Sequence, residues 1–136
     1  MQLSKEQEDI IAYSALSEPG DALAHLIWDL RGTSAISEFR NGIAKTQWVK
    51  ELESYAPEYL PQLAGLLERF ALRLPKLHVP TLVERAIRWN ARPVFPEQLP
   101  LLWERFSDLD LHAPYLFWVA GDHGVLEAES NSIVGT

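Results

Sequence analysis

The side chains best equipped for chemistry in this sequence are arginines. Residues 65–93 hold Arg69, Arg73, Lys76, Arg85, Arg88 and Arg92 against only two acids, Glu68 and Glu84. Arg69 and Arg73 stand four positions apart, and Arg85, Arg88 and Arg92 follow one another at steps of three and four, so on helices each set would form a stripe. A guanidinium fork can pair with two phosphate oxygens at once, which makes these five arginines the candidate DNA or phosphate contacts. Trp89, beside them, offers either a stacking face for an unpaired base or one more core side chain. The plain alternative for both stripes is a solvated helix face.

Other constellations point less far. Asp108, Asp110 and His112 alternate, with Asp122 and His123 nearby, as metal ligands on one face of an extended segment would. Pro114 and the weak strand pattern there favour a solvated loop, and no metal is expected. His25 and Asp29, one helical turn apart, read as a helix-surface pair rather than ligands. Residues 16–35 hint at a helix-hairpin-helix, whose backbone amides would hold a phosphate. Gly20 alone supplies the hairpin glycine, and Glu18 and Asp21 beside it would repel an anion, so a capped turn between packed helices is expected. The sequence contains no Gly-x-Ser-x-Gly elbow, Walker loop or His-Glu-x-x-His, and its acids are scattered. No catalytic residue, cofactor or enzymatic activity is expected.

Composition narrows the setting. The 136 residues are 47% hydrophobic and 23% charged, the balance of a chain that folds. The formal net charge of −7 argues against a whole surface built to attract nucleic acid, so any such contact must be local. Residues 1–30 carry one lysine and six acids, which leaves the arginine segment as a basic island. No cysteine is present, excluding disulfides and thiolate metal sites. The N-terminus is polar, and no apolar run approaches the roughly 20 residues that span a bilayer, so a cytoplasmic chain without membrane contact is expected.

The elements that would position these residues are mostly helices. Ser4 with Gln7 is a capping-box pattern that opens a helix ending near Ser17. Asp21 is a good N-cap for a second helix, with Leu23, Leu26, Ile27 and Leu30 on one face and Gly32 closing it in the left-handed conformation. Ser34 is placed to cap a short third helix through Ile36 and Phe39 to Gly42. A fourth over residues 45–55 groups Trp48, Val49 and Leu52. The fifth, over residues 57–74, lines up Leu63, Leu66, Leu67, Phe70 and Leu74. After a proline-bounded break, Thr81 with Glu84 repeats the capping-box pattern and opens a sixth helix, burying Leu82, Val83, Ala86 and Ile87, with Asn90 in the closing left-handed position. Short aromatic or β-branched runs at 92–95, 115–120 and 132–135 then read as strands, with a helix near 101–106 between the first two. The expected architecture is mainly α: a helical N-terminal domain over residues 1–90, then the first strands of an incomplete α/β domain over 91–136.

The order of these features resembles the DprA/Smf family of bacterial DNA-processing proteins. The residues that carry the resemblance are the opening helix with Glu18-Pro19-Gly20-Asp21, the glycine-ended Leu30-Arg31-Gly32, and the helix-then-strand from Glu84 to Val94. Pro100-Leu101, Pro114-Tyr115-Leu116-Phe117-Trp118-Val119-Ala120-Gly121 and Ser132-Ile133-Val134-Gly135-Thr136 complete it. The resemblance implies a sterile-alpha-motif-like helical domain followed by a Rossmann-like domain, and Gly135 and Thr136 would then begin a truncated phosphate-binding loop. It also implies partners for the full-length protein: single-stranded DNA, and a RecA-like recombinase loaded onto it during natural transformation. This stretch would act as a packing or adaptor module without the main DNA site, with homo-oligomers a further option. The competing reading is a helical protein-interaction module with no nucleic-acid role, using exposed aromatics among Trp48, Trp89 and Trp103.

Overall fold

The computed structural model describes residues 2–18, 20–106, 108–109 and 113–121. Seven α-helices appear among them: α1 (Lys5–Leu16), α2 (Ala22–Arg31), α3 (Ser34–Arg40), α4 (Ala44–Tyr55), α5 (Leu60–Arg73), α6 (Val79–Arg88) and α7 (Pro100–Arg105). Strand β1 (Ala91–Val94) lies between α6 and α7, and β2 (Phe117–Ala120) follows α7. The protein is thus mainly helical with a small two-stranded sheet. No helix among the described residues is long and apolar enough to cross a membrane. The strand expected at 132–135, and Asp110, His112, Asp122, His123, Gly135 and Thr136, lie outside the described residues.

Several helix ends form as their residues dictate. Ser4 and Gln7 close the reciprocal capping box, and the Asp21 carboxylate accepts from the Ala24 amide at 3.1 Å. Gly32 and Asn90 both take positive φ, at 58° and 57°, ending α2 and α6. Others depart from expectation. The Ser34 cap is not made, because Gly32 O already accepts from the Ala35 amide and draws Ser34 into the helix. The helix expected from Pro57 divides into a 3-10 turn (Pro57–Tyr59) and α5, since Pro61 has no N–H to return to Pro57 O. The Thr81 capping box is also absent. Pro80, whose φ suits a first helical turn, lets α6 begin at Val79, and Thr81 Oγ1 instead meets His78 Nδ1 at 2.7 Å.

The main core is built by α1 to α5. Tyr13, Leu16, Leu23, Ile27, Ile36, Trp48, Leu52, Leu63, Leu66 and Phe70 are buried together in it. Tyr13 is its aromatic centre, 4.9 Å from the Trp28 ring and edge-on to Phe70 and Tyr115. Its hydroxyl donates to Ala24 O, so the one polar atom of the side chain is satisfied inside the bundle. A second cluster joins Ile10 and Ile11 of α1 to Phe95 and Leu116, residues on opposite sides of the expected boundary near 90.

The face of α6 corrects the sequence reading. None of its residues is fully buried, and Ile87, expected in the core, is 52% exposed. Leu82 and Val83 meet the second cluster only at its margin, so the apolar stripe of α6 rotates partly away from the bundle. The strands run antiparallel, with Ala91 opposite Ala120, Arg92 opposite Val119, Pro93 opposite Trp118 and Val94 opposite Phe117. Both are shorter than expected at one end: Phe95 leaves β1 to enter the core, and Tyr115 and Leu116 pack on α1 and α2 before β2 begins.

Candidate phosphate-contact groove

The five candidate arginines do not form one surface. Arg69 of α5 donates to Asp21 Oδ2 at 3.0 Å, while Oδ1 of the same carboxylate caps α2. Arg73, a turn later, donates to Leu16 O at 2.8 Å and to Glu18 at 2.7 Å. Leu16 O is one of the carbonyls that the end of α1 leaves without a helical partner, so Arg73 serves as its cap. The pair Arg69 and Arg73 therefore clamps the α1–α2 turn onto α5, and the acidic residues that argued against phosphate at Gly20 are the acceptors. Arg92 leaves the row as well, since α6 ends at Arg88 and Arg92 sits on β1 opposite Val119. Arg88 is exposed on α6.

Two of the five are nevertheless brought together. Arg73 from the end of α5 and Arg85 from α6 line one open groove of about 340 Å³, with Lys76 of the intervening 3-10 turn. His78, just before α6, and Thr81 in its first turn form the polar side, and Leu77, Leu82 and Ala15 of α1 give it an apolar floor. The groove exists because Pro75 and Pro80 bound a short return that lays α6 beside the end of α5. Lys76 belonged to the basic island but to neither helical stripe, His78 carried no signal of its own, and Thr81 stood out only as a helix cap. Only the reversal between the prolines places them here.

Trp89 is 83% exposed and so is not a core residue, whereas Trp48 is fully buried, which removes it from any partner surface. Trp103 is half-buried, its indole donating to Pro114 O at 2.9 Å.

His25 is likewise not at the surface. Its ring stacks on Tyr115 with centroids 4.4 Å apart, Nε2 meets Ala113 O, and Nδ1 lies 3.9 Å from Asp29, too far for a hydrogen bond. Residues 113–115, distant in sequence, cover this side of α2, which i,i+4 spacing cannot foresee. Burial pushes the Tyr13 and Tyr115 phenols well above the usual tyrosine range. Asp108 is exposed, and among the described residues no three metal-ligating side chains cluster. No protein-family model, curated protein or solved structure matches the chain.

Proposed function

We propose that this chain is the N-terminal part of a bacterial DNA-processing protein of the DprA/Smf kind, one that binds single-stranded DNA and loads a RecA-like recombinase onto it in natural transformation. In this reading the bundle of α1 to α6 is the sterile-alpha-motif-like domain and β1–α7–β2 opens the Rossmann-like domain. An antiparallel pair is compatible with that, because largely parallel sheets commonly carry an antiparallel strand at their edge. The bundle acts as a packing and adaptor module in the cytoplasm, without catalysis, and touches the strand only locally.

The observation that carries the reading is the convergence of Arg73 and Arg85, from two helices, with Lys76 on one groove of a chain whose net charge is −7. A groove of this size meets about two phosphates, so the logarithm of affinity for a single strand should fall with the logarithm of salt at a slope of about −1.4. Binding in the range typical of non-specific contacts, roughly 10⁻⁴ to 10⁻⁶ M at physiological salt, is expected of these residues. A salt titration against single-stranded oligonucleotide checks this. Salt-independent binding, or nanomolar affinity at physiological salt, would overturn the adaptor assignment.

One observation favours the competing reading of a protein-interaction module. Trp89 and Ile87 are both more than half exposed at the end of α6, and exposed aromatics are frequent interface anchors. If that face self-associates, sedimentation velocity shows a concentration-dependent oligomer that Trp89→Ser abolishes. A monomer at all concentrations sets self-association aside.

A further inference from the structure

The groove between α5 and α6 has a more definite chemistry than general attraction for a polyanion. Arg73 is held in place by Glu18 and Leu16 O, so its charge is largely balanced and its guanidinium is fixed at the wall. Lys76 and Arg85, both exposed, add two further positive charges at the rim, and none of the described residues that line the groove is acidic. A net charge near +2 matches a phosphate monoester, which carries roughly −1.5 to −2 near neutral pH, better than a diester, which carries one.

The polar side supplies a directed donor. His78 Nδ1 and Thr81 Oγ1 share one hydrogen bond of 2.7 Å. If the hydroxyl donates, the imidazole proton stands on Nε2, and if Nδ1 donates, the hydroxyl proton is left over. Either arrangement leaves one donor on the pair for an anion oxygen. The volume of about 340 Å³ lies at the lower end of the range of small-molecule sites, roughly 300–1,000 Å³, and exceeds what a phosphate alone fills. Leu77 and Leu82 give the remainder an apolar floor that suits a flat organic body.

From these features we infer that the groove binds a phosphomonoester of nucleoside size, with the phosphate between Lys76 and Arg85 and the base over Leu77 and Leu82. The inference rests on the phosphate-contact part of the reading above and narrows it to one ligand chemistry. Two sources carry that chemistry, a free mononucleotide and the phosphorylated 5′ end of a strand.

Isothermal titration calorimetry on the 136-residue chain separates them, with AMP, adenosine, a 5′-phosphorylated oligothymidylate and its 5′-hydroxyl counterpart as probes. AMP should bind saturably and adenosine far more weakly. The double variant Lys76→Glu/Arg85→Glu, whose side chains are exposed, should keep the wild-type circular dichroism and lose at least about tenfold in AMP affinity, the effect of two charge-assisted hydrogen bonds removed. Arg88→Glu, outside the groove, should stay within about twofold of wild type, an exposed charge acting weakly at a distance. Preference for the 5′-phosphorylated over the 5′-hydroxyl strand assigns the site to a strand end, and AMP binding without that preference assigns it to a free nucleotide. Equal binding of AMP and adenosine, or AMP binding that the double variant leaves unchanged, overturns the inference. If AMP fails while the 5′-hydroxyl strand binds through Arg85, the phosphomonoester site falls and the DNA reading stands. If AMP binds and neither strand does, the reverse holds.

Discussion

Glu38 is buried, yet it carries no unbalanced charge, because the Arg31 fork reaches both of its oxygens and the Trp48 indole donates to one at 3.3 Å. The same guanidinium donates to Glu51 at 2.6 Å, so one side chain of α2 ties α3 to α4. These hydrogen bonds raise the Arg31 pKa further above its already high ordinary value. Arg31→Ala would strand the buried carboxylate, and breaking such a pair costs about 3 kcal/mol. Denaturant unfolding measures this, and Arg31→Met with Glu38→Leu should lose less than Arg31→Ala alone, since it removes the buried carboxylate together with its partner and leaves only the less buried Glu51 without the fork. A second expectation concerns Tyr13 and Tyr115. Burial raises both phenols, so the native state holds their protons at pH values where the unfolded chain has released them. Stability contributed by the neutral rings is therefore complete below the ordinary tyrosine pKa of about 10 and declines as pH rises past it. Unfolding midpoints followed upward from pH 9 should fall for the wild type, and less steeply for Tyr115→Phe. A flat wild-type profile would contradict the burial.

Between residues and the whole, the turn from α6 to β1 depends on one backbone conformation. Asn90 has φ of 57°, which costs an ordinary side chain about 1–2 kcal/mol and glycine almost nothing. Asn90→Ala should lose about 1 kcal/mol by denaturant unfolding, while Asn90→Gly should be neutral within a few tenths. Asn90 was legible in the sequence, as were the Ser4 and Asp21 caps and the apolar stripes of α2 and α5, because each is a local rule read within a turn or two of helix. The groove was legible only in part. Arg73 and Arg85 stood out by type, but Arg69 and Arg73 were spoken for by Asp21 and Glu18, residues about fifty positions earlier. Lys76, His78 and Thr81 joined the site through a chain reversal rather than a helical period. Ile87 fails for the same reason in the other direction, since its spacing fits a buried stripe and the described residues leave it half exposed.

Across the whole chain, α1 is the element on which both halves depend. Its Tyr13 and Leu16 face the main bundle, and its Ile10 and Ile11 face Phe95 and Leu116 from beyond residue 90. Residue Tyr115 reinforces the join by contacting Tyr13, Trp28 and His25 at once. An independent second unit would unfold separately from the bundle, whereas a segment whose Phe95, Tyr115 and Leu116 pack on α1 and α2 should unfold with it. Trp48 in the bundle and Trp118 on β2 report the two parts, and single-tryptophan variants retaining one or the other should give coincident denaturant transitions. Phe95→Ala removes a fully buried ring at the join and should cost about 3 kcal/mol. Its effect should appear equally at both reporters, because the ring packs against Ile10 and Ile11 of α1 and the same helix carries Tyr13 into the core that holds Trp48. A transition at Trp118 that moves while the one at Trp48 stays in place would mean that the strands open without disturbing α1.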